Sequence, residues 1–221
     1  MSIKLEVWGE YACFTRPEMK VERMSYDVIT PSAARGLIES IYWHPGLRWT
    51  IDKIYVLNPI NFVPFKRNEI KNKANMANAL SAMNGSKKEL SIIQNSTTIS
   101  QRTTLALKDV HYVIEAHFEL TDKATVNDNC GKFQDIITRR IEKGQCYKQP
   151  YFGLREFAAH FKNADYAKIP HDPSLDGIHD LGFMLYDLEY SNQPNKEPIP
   201  MFFRAKMTDG VIDLKNCEVV K

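Results

Sequence analysis

The chain has 221 residues, 43% of them hydrophobic and 25% charged. Those proportions exclude a disordered chain, and no apolar run approaches the roughly 20 residues of a membrane-spanning helix. The formal net charge is only +2, so the chain is not a uniformly basic nucleic-acid binder, and any affinity for phosphate must come from local charge.

The opening residues, Met1 to Glu6, lack the apolar core of a signal peptide, and a cytoplasmic protein is expected. Ile3, Leu5 and Val7 alternate with Lys4, Glu6 and Trp8, which predicts a first strand. A polar loop follows. Thr30-Pro31 then opens a helix, because Thr30 caps free amides and Pro31 sits where a missing N–H costs nothing. Ala34, Leu37, Ile38 and Ile41 recur at helical spacing. Pro45-Gly46 ends that helix, and residues 49–58 read as a second strand.

Residues 60–108 are rich in Asn, Lys, Ser and Thr and have weak periodicity. They read as an insertion, either a long basic hairpin or a mobile loop. From Lys66 to Lys88 there are six basic residues against one acid, a surface suited to phosphate that includes Lys66 and Arg67. Val110 to Leu120 is the clearest strand: Tyr112, Ile114, Ala116 and Phe118 face one way, and His111, Glu115 and His117 the other. A second helix is expected over about 127–143, with Phe133, Ile136, Ile137 and Ile141 on its apolar face and Gly144 beyond its end. Residues 150–157 read as another strand. Past residue 164 the composition turns to Asp, Pro and Gly. Three short strands are expected near 182–190, 200–207 and 211–214, with Asp209-Gly210 as a turn. From Asp165 to Tyr190 six acids face one base, so the chain is electrically polar.

The order β-α-β, insertion, β-α-β predicts an α+β, ferredoxin-like (RRM-like) βαββαβ domain over residues 1–163, with an insertion after the second strand. A small β-rich C-terminal unit would cover 164–221. Both predicted helices have one apolar stripe, so both should cover one sheet face. The other face is left open, and RNA-recognition modules of this arrangement bind nucleic acid there.

Several residues are candidates for chemistry. His117 is either a solvent-facing strand histidine or a proton-transfer group active near neutral pH. Tyr42, at the end of the first helix, is either a core aromatic with a satisfied hydroxyl or a reactive phenol. The run from Cys146 to Arg155 mixes Lys148 and Arg155 with Tyr147, Tyr151 and Phe152, a combination that stacks bases and holds phosphates as readily as it builds a strand. The four cysteines lack Cys-x-x-Cys spacing and read as reduced thiols. Asp172, Ser174, Asp176 and Gly177 echo a calcium loop, but its twelfth position is Phe183 rather than a bidentate Glu. Neither a metal nor another cofactor is expected.

Three segments carry a family resemblance. They run from Ser25-Tyr26-Asp27 to Tyr42-Trp43-His44-Pro45, from Leu107-Lys108-Asp109 through Ala116-His117-Phe118, and from Tyr151-Phe152-Gly153 to Phe157. In order and spacing they resemble the subtype I-C CRISPR-associated RAMP proteins. The resemblance implies a metal-independent endoribonuclease that cuts CRISPR precursor repeat RNA at the base of its hairpin, keeps the 5′ handle, and joins the other subunits of the interference complex. It implies an active site of a tyrosine, mapping to Tyr42, a histidine, mapping to His117, and a lysine just before that histidine. Glu115 and Ala116 stand where the lysine is expected. Lys108, Lys148 and Arg155 are the alternatives for the missing charge. A non-catalytic RNA-binding scaffold of the same complex is the second reading, and a DNA-directed role through the basic insertion the third.

Overall fold

The computed structural model describes residues 2–19, 21–71, 75–86, 97–164, 168–190 and 197–221. Lys73, Lys87 and Lys88 of the basic stretch and Asp165 of the acidic one lie outside the described residues.

The molecule is mixed α and β, dominated by one large, mainly antiparallel sheet. Strand β1 (Ser2–Ala12) leads through the short β2 (Arg23–Met24) to helix α1 (Pro31–Ile41), then β3 (Leu47–Val56). A hairpin follows: β4 (Asn61–Ile70), helix α2 (Met76–Met83) and β5 (Ile99–Leu120). Helix α3 (Cys130–Glu142) and strand β6 (His160–Asn163) come next, followed by β7 (Ile178–Glu189), β8 (Ile199–Thr208), β9 (Val211–Asp213) and β10 (Val219–Val220).

Strand β5 organises the sheet. Its second half lies between β1 and β3, antiparallel to both, and β6 pairs antiparallel with the outer edge of β1, giving the order β3-β5-β1-β6. Its first half pairs antiparallel with β4, from Asn61↔Lys108 to Ile70↔Ile99. The insertion is therefore a hairpin grown out of a core strand, and β2 docks parallel on it at Thr104 and Leu105. The two halves of β5 meet at Asp109, whose φ of 53° puts it in the left-handed region, a conformation that Asp tolerates better than most residues. The side-chain amide of Asn58 donates to the Asp109 carbonyl at 2.8 Å and holds the kink.

Helix α1 starts at the Thr30 cap that the sequence predicts, and α3 starts three residues later than expected, after an Asn129 cap. Thr30 Oγ1 accepts the Ala33 amide at 3.2 Å, and Asn129 accepts that of Lys132 at 2.9 Å. Ala34, Leu37, Ile38 and Ile41 of α1 and Phe133, Ile137 and Ile141 of α3 are buried with Leu5, Ile54, Ile114 and Phe118 of the sheet. The C-terminal strands join the same sheet, since β9 pairs with β3 at Lys53↔Asp213. Asp209 and Gly210 both have positive φ, as a two-residue turn between twisted strands requires.

Two expectations need correction. Residues 150–157 form a loop with a single bridge, Tyr151↔Ala158, and the edge strand is β6, four residues long. The aromatics that imitate a strand there are anchors: Phe152 is fully buried, and its carbonyl accepts the Cys13 amide at 3.0 Å. Nor is the second sheet face wholly open. Val113 is buried under Leu57 and Ala164, with Tyr55 and Ile169 beside them.

Candidate active site

On the helix-free face, β5 presents His111, Val113, Glu115 and His117 in succession. His117 lies opposite Thr50 of β3 and Ser2 of β1. The register of β3 slips between Ile51 and Lys53, leaving Asp52 as the extra residue of a bulge. A bulge re-aims a side chain, and here the nearly buried Asp52 carboxylate lies 2.9 Å from His117 Nδ1. In the neutral ring Nδ1–H donates to Asp52, and Nε2 is the nitrogen left for a substrate. The Glu115 carboxylate instead accepts the Tyr55 hydroxyl at 3.1 Å. The acid that touches His117 is therefore Asp52, although Glu115 shares its strand face.

His111 belongs to a separate cleft of about 490 Å³ near β6. The buried Glu6 carboxylate lies 2.9 Å from His111 Nε2 and 3.1 Å from Lys162 Nζ. The Trp8 ring stacks with His160 at 5.8 Å.

Tyr42 occupies the other side of the sheet. It caps α1, its amide donating to the Ile38 carbonyl at 2.9 Å. Its ring lies 6.2 Å from Phe133 of α3, and Phe133 lies 6.3 Å from Phe118 of β5. Phe118 and His117 are consecutive on one strand and point to opposite faces. The sheet thus separates Tyr42 from His117.

The charged neighbours of Tyr42 are Lys132, Arg140 and Asp128. The Arg140 guanidinium carbon lies 5.1 Å from the Tyr42 ring centre, and an Arg140 nitrogen donates to the Ile41 carbonyl at 2.6 Å. Lys132 Nζ lies 5.9 Å from the centre of the Phe133 ring. Burial pushes the Tyr42 hydroxyl above its ordinary range, and the charges of Lys132 and Arg140 pull the other way. The phenol is therefore neutral at physiological pH. Asp128 binds Lys132 at 2.8 Å, and that hydrogen bond, with those from Thr125, holds its carboxyl below the usual range. Sequence reading missed Lys132, Arg140 and Asp52. The helical pattern shows only that the two cations lie off the apolar stripe, and a bulge has no signature in the chain.

The remaining basic candidates divide by partner. Lys66, Lys148 and Arg155 are exposed. Arg67 is ion-paired with Glu156 and lies over Phe65 and Phe157, so it ties the hairpin to the 150–158 loop. Lys108 is 3.8 Å from Asp109 at the kink. Among the described residues no helix is long and apolar enough to cross a membrane.

The family model described as CRISPR-associated protein (Cas_Cas5), of the Cas5d type, matches residues 2–215. A protein of Mannheimia succiniciproducens named CRISPR pre-crRNA endoribonuclease Cas5d is 47% identical over 96% of this chain and 94% of its own length. A protein of the same name from Thermus thermophilus is 39% identical over 96% of this chain and 90% of its own. A solved structure titled as that of a CRISPR-associated protein superposes with a TM-score of 0.69 at 22% identity, covering 100% of this chain and 97% of that one, which shows a shared fold. With the family model and both relatives spanning nearly the whole chain, the chain belongs to the Cas5d family of CRISPR-associated proteins.

Proposed function

We propose that this chain is a metal-independent endoribonuclease that cuts CRISPR precursor repeat RNA at the base of its hairpin, retains the 5′ handle, and serves as a cytoplasmic subunit of the interference complex. The names of its two relatives support the activity and the RNA substrate. The strand order β3-β5-β1-β6, with α1 and α3 as the crossovers, supports a ferredoxin-like core within residues 1–163. The strands after residue 164 then form an appended C-terminal unit.

The observation that carries the catalytic reading is the pair of cations at the Tyr42–Phe133 contact, Arg140 over the Tyr42 ring and Lys132 over the Phe133 ring. In this reading the RNA 2′ oxygen attacks the adjacent phosphorus while the bond from phosphorus to the 5′ oxygen breaks. The products are a 2′,3′-cyclic phosphate and a 5′-hydroxyl. The 2′ proton leaves to solvent, and the neutral Tyr42 hydroxyl gives the 5′ oxygen its proton. Lys132 and Arg140 stabilise the negative charge that builds on the phosphoryl oxygens, in place of the lysine missing before His117. A second reading rests on the Asp52–His117 pair: there His117 moves the protons, and the cut occurs on the opposite face.

Single-turnover cleavage of the cognate repeat RNA in EDTA separates these readings. Wild type should cut, and Tyr42→Phe and Lys132→Ala should each slow the cut by roughly 10²-fold or more with RNA affinity retained. His117→Ala should cut at close to the wild-type rate. Loss confined to His117→Ala would transfer the chemistry to the other face. Tight binding with no cut by wild type would make the protein a scaffold.

A further inference from the structure

His44 stands two residues beyond Tyr42, on the turn that leads from α1 into β3, and it is partly exposed. Its ring lies 5.0 Å from that of Phe133, inclined at 45°, so Tyr42 and His44 both pack on one aromatic of α3. The turn is shaped around it. The backbone N–H of Gly46 donates to His44 Nδ1 at 3.0 Å. A Cβ at Gly46 would lie 2.9 Å from the Ala124 Cα and 3.1 Å from His44 Nδ1, so only glycine fits between the ring and the 121–124 loop. The Thr121 hydroxyl, donating to the Pro45 carbonyl at 2.7 Å, fastens the same turn.

That hydrogen bond fixes the tautomer. Nδ1 is an acceptor, so in the neutral ring the proton sits on Nε2, the nitrogen away from the turn. A fixed N–H donor thus shares the Phe133 ring with Tyr42 and Lys132 at the junction of α1 and α3.

We infer that His44 is a catalytic residue whose Nε2–H donates a hydrogen bond to a non-bridging oxygen of the scissile phosphate, the phosphate served by Tyr42, Lys132 and Arg140. The inference rests on the Tyr42-centred reading of the proposed function. His44 transfers no proton. It supplies a preorganised dipole where charge develops, a role that removes barrier height without changing the bonds made and broken. The substrate group is an RNA phosphodiester, and the donor complements the charges of Lys132 and Arg140.

The test has two parts. In single-turnover cleavage of repeat RNA, His44→Ala should lose roughly 10- to 10²-fold in rate, with RNA dissociation constants within about threefold of wild type. His44→Gln, whose side-chain amide places an N–H near the position of Nε2, should recover most of that loss. Long-range ¹⁵N correlation spectra of the wild-type protein should show the proton of neutral His44 on Nε2. An unimpaired His44→Ala, or a glutamine variant as slow as alanine, would overturn the inference. So would a proton found on Nδ1, and this measurement decides even if the alanine variant fails to fold. Should Tyr42→Phe and Lys132→Ala lose activity while His44→Ala does not, His44 alone is misassigned. Full activity in all three variants, with loss in His117→Ala, removes the Tyr42-centred reading itself.

Discussion

Tyr55 and Glu115 are neighbours across β3 and β5, and their pairing makes a measurable difference in alkali. Burial, the Glu115 charge and the hydrogen bond to Glu115 push the Tyr55 hydroxyl up to about 12, from an ordinary value of about 10. Between those values the folded chain keeps a proton that the unfolded chain has lost. Unfolding then releases protons, so stability falls as pH rises from about 10 to about 12. The thermal midpoint of the wild type should decline across that window, and that of Tyr55→Phe should decline less steeply. Equal slopes would mean that folding does not raise the Tyr55 hydroxyl above its ordinary range. At this scale the sequence was informative about type and blind to partner. Alternation along β5 correctly puts His117 and Glu115 on one face. The strand pattern cannot show that Asp52 meets the histidine, because one extra residue at a bulge re-aims a carboxylate without altering the composition.

Among the elements, the long strand β5 is legible in its second half and hidden in its first. Residues 110–120 alternate, with Val113 as the exception, because one side faces the helices. Residues 99–103 pair with β4 outside the main core, which takes in Ala106 and Leu107, and the hydrophobic constraint that writes a period of two is weaker there. The opposite error affects residues 150–157, whose aromatics suggest a strand. Gly153 settles the matter: its φ is +78°, and a Cβ there would lie 1.9 Å from the Cys13 carbonyl oxygen. This loop passes against the end of β1 with no space for a side chain. Gly153→Ala combines left-handed strain with a backbone collision, and should destabilise the fold by about 2 kcal/mol or more, read as a lower urea midpoint with an unchanged denaturant slope. A neutral result would mean that the loop moves away from β1 at little cost.

For the whole molecule, net charge is a poor guide to RNA binding, since the useful quantity is how many cations are exposed and not already paired inside the chain. Counterion release counts the phosphates that protein cations neutralise, with a slope of log affinity against log salt of roughly 0.7 to 0.9 per contact. Arg67 is held by Glu156 between Phe65 and Phe157, so reaching a phosphate would require leaving an ion pair and two ring contacts. Lys66 on the hairpin, and Lys148 and Arg155 on the 146–155 loop, are exposed and free to follow an RNA backbone. Their side chains lie on two elements that Arg67 fastens together. Replacing Lys66, Lys148 or Arg155 with alanine should therefore weaken binding of the repeat RNA and lower the salt slope by somewhat under one unit each. Arg67→Ala should leave the slope unchanged and lower thermal stability instead. Titrations of labelled repeat RNA at several salt concentrations, run beside melting curves, distinguish the two classes. A reduced slope in Arg67→Ala would show that RNA displaces Glu156, and that hairpin and loop separate when the substrate is bound.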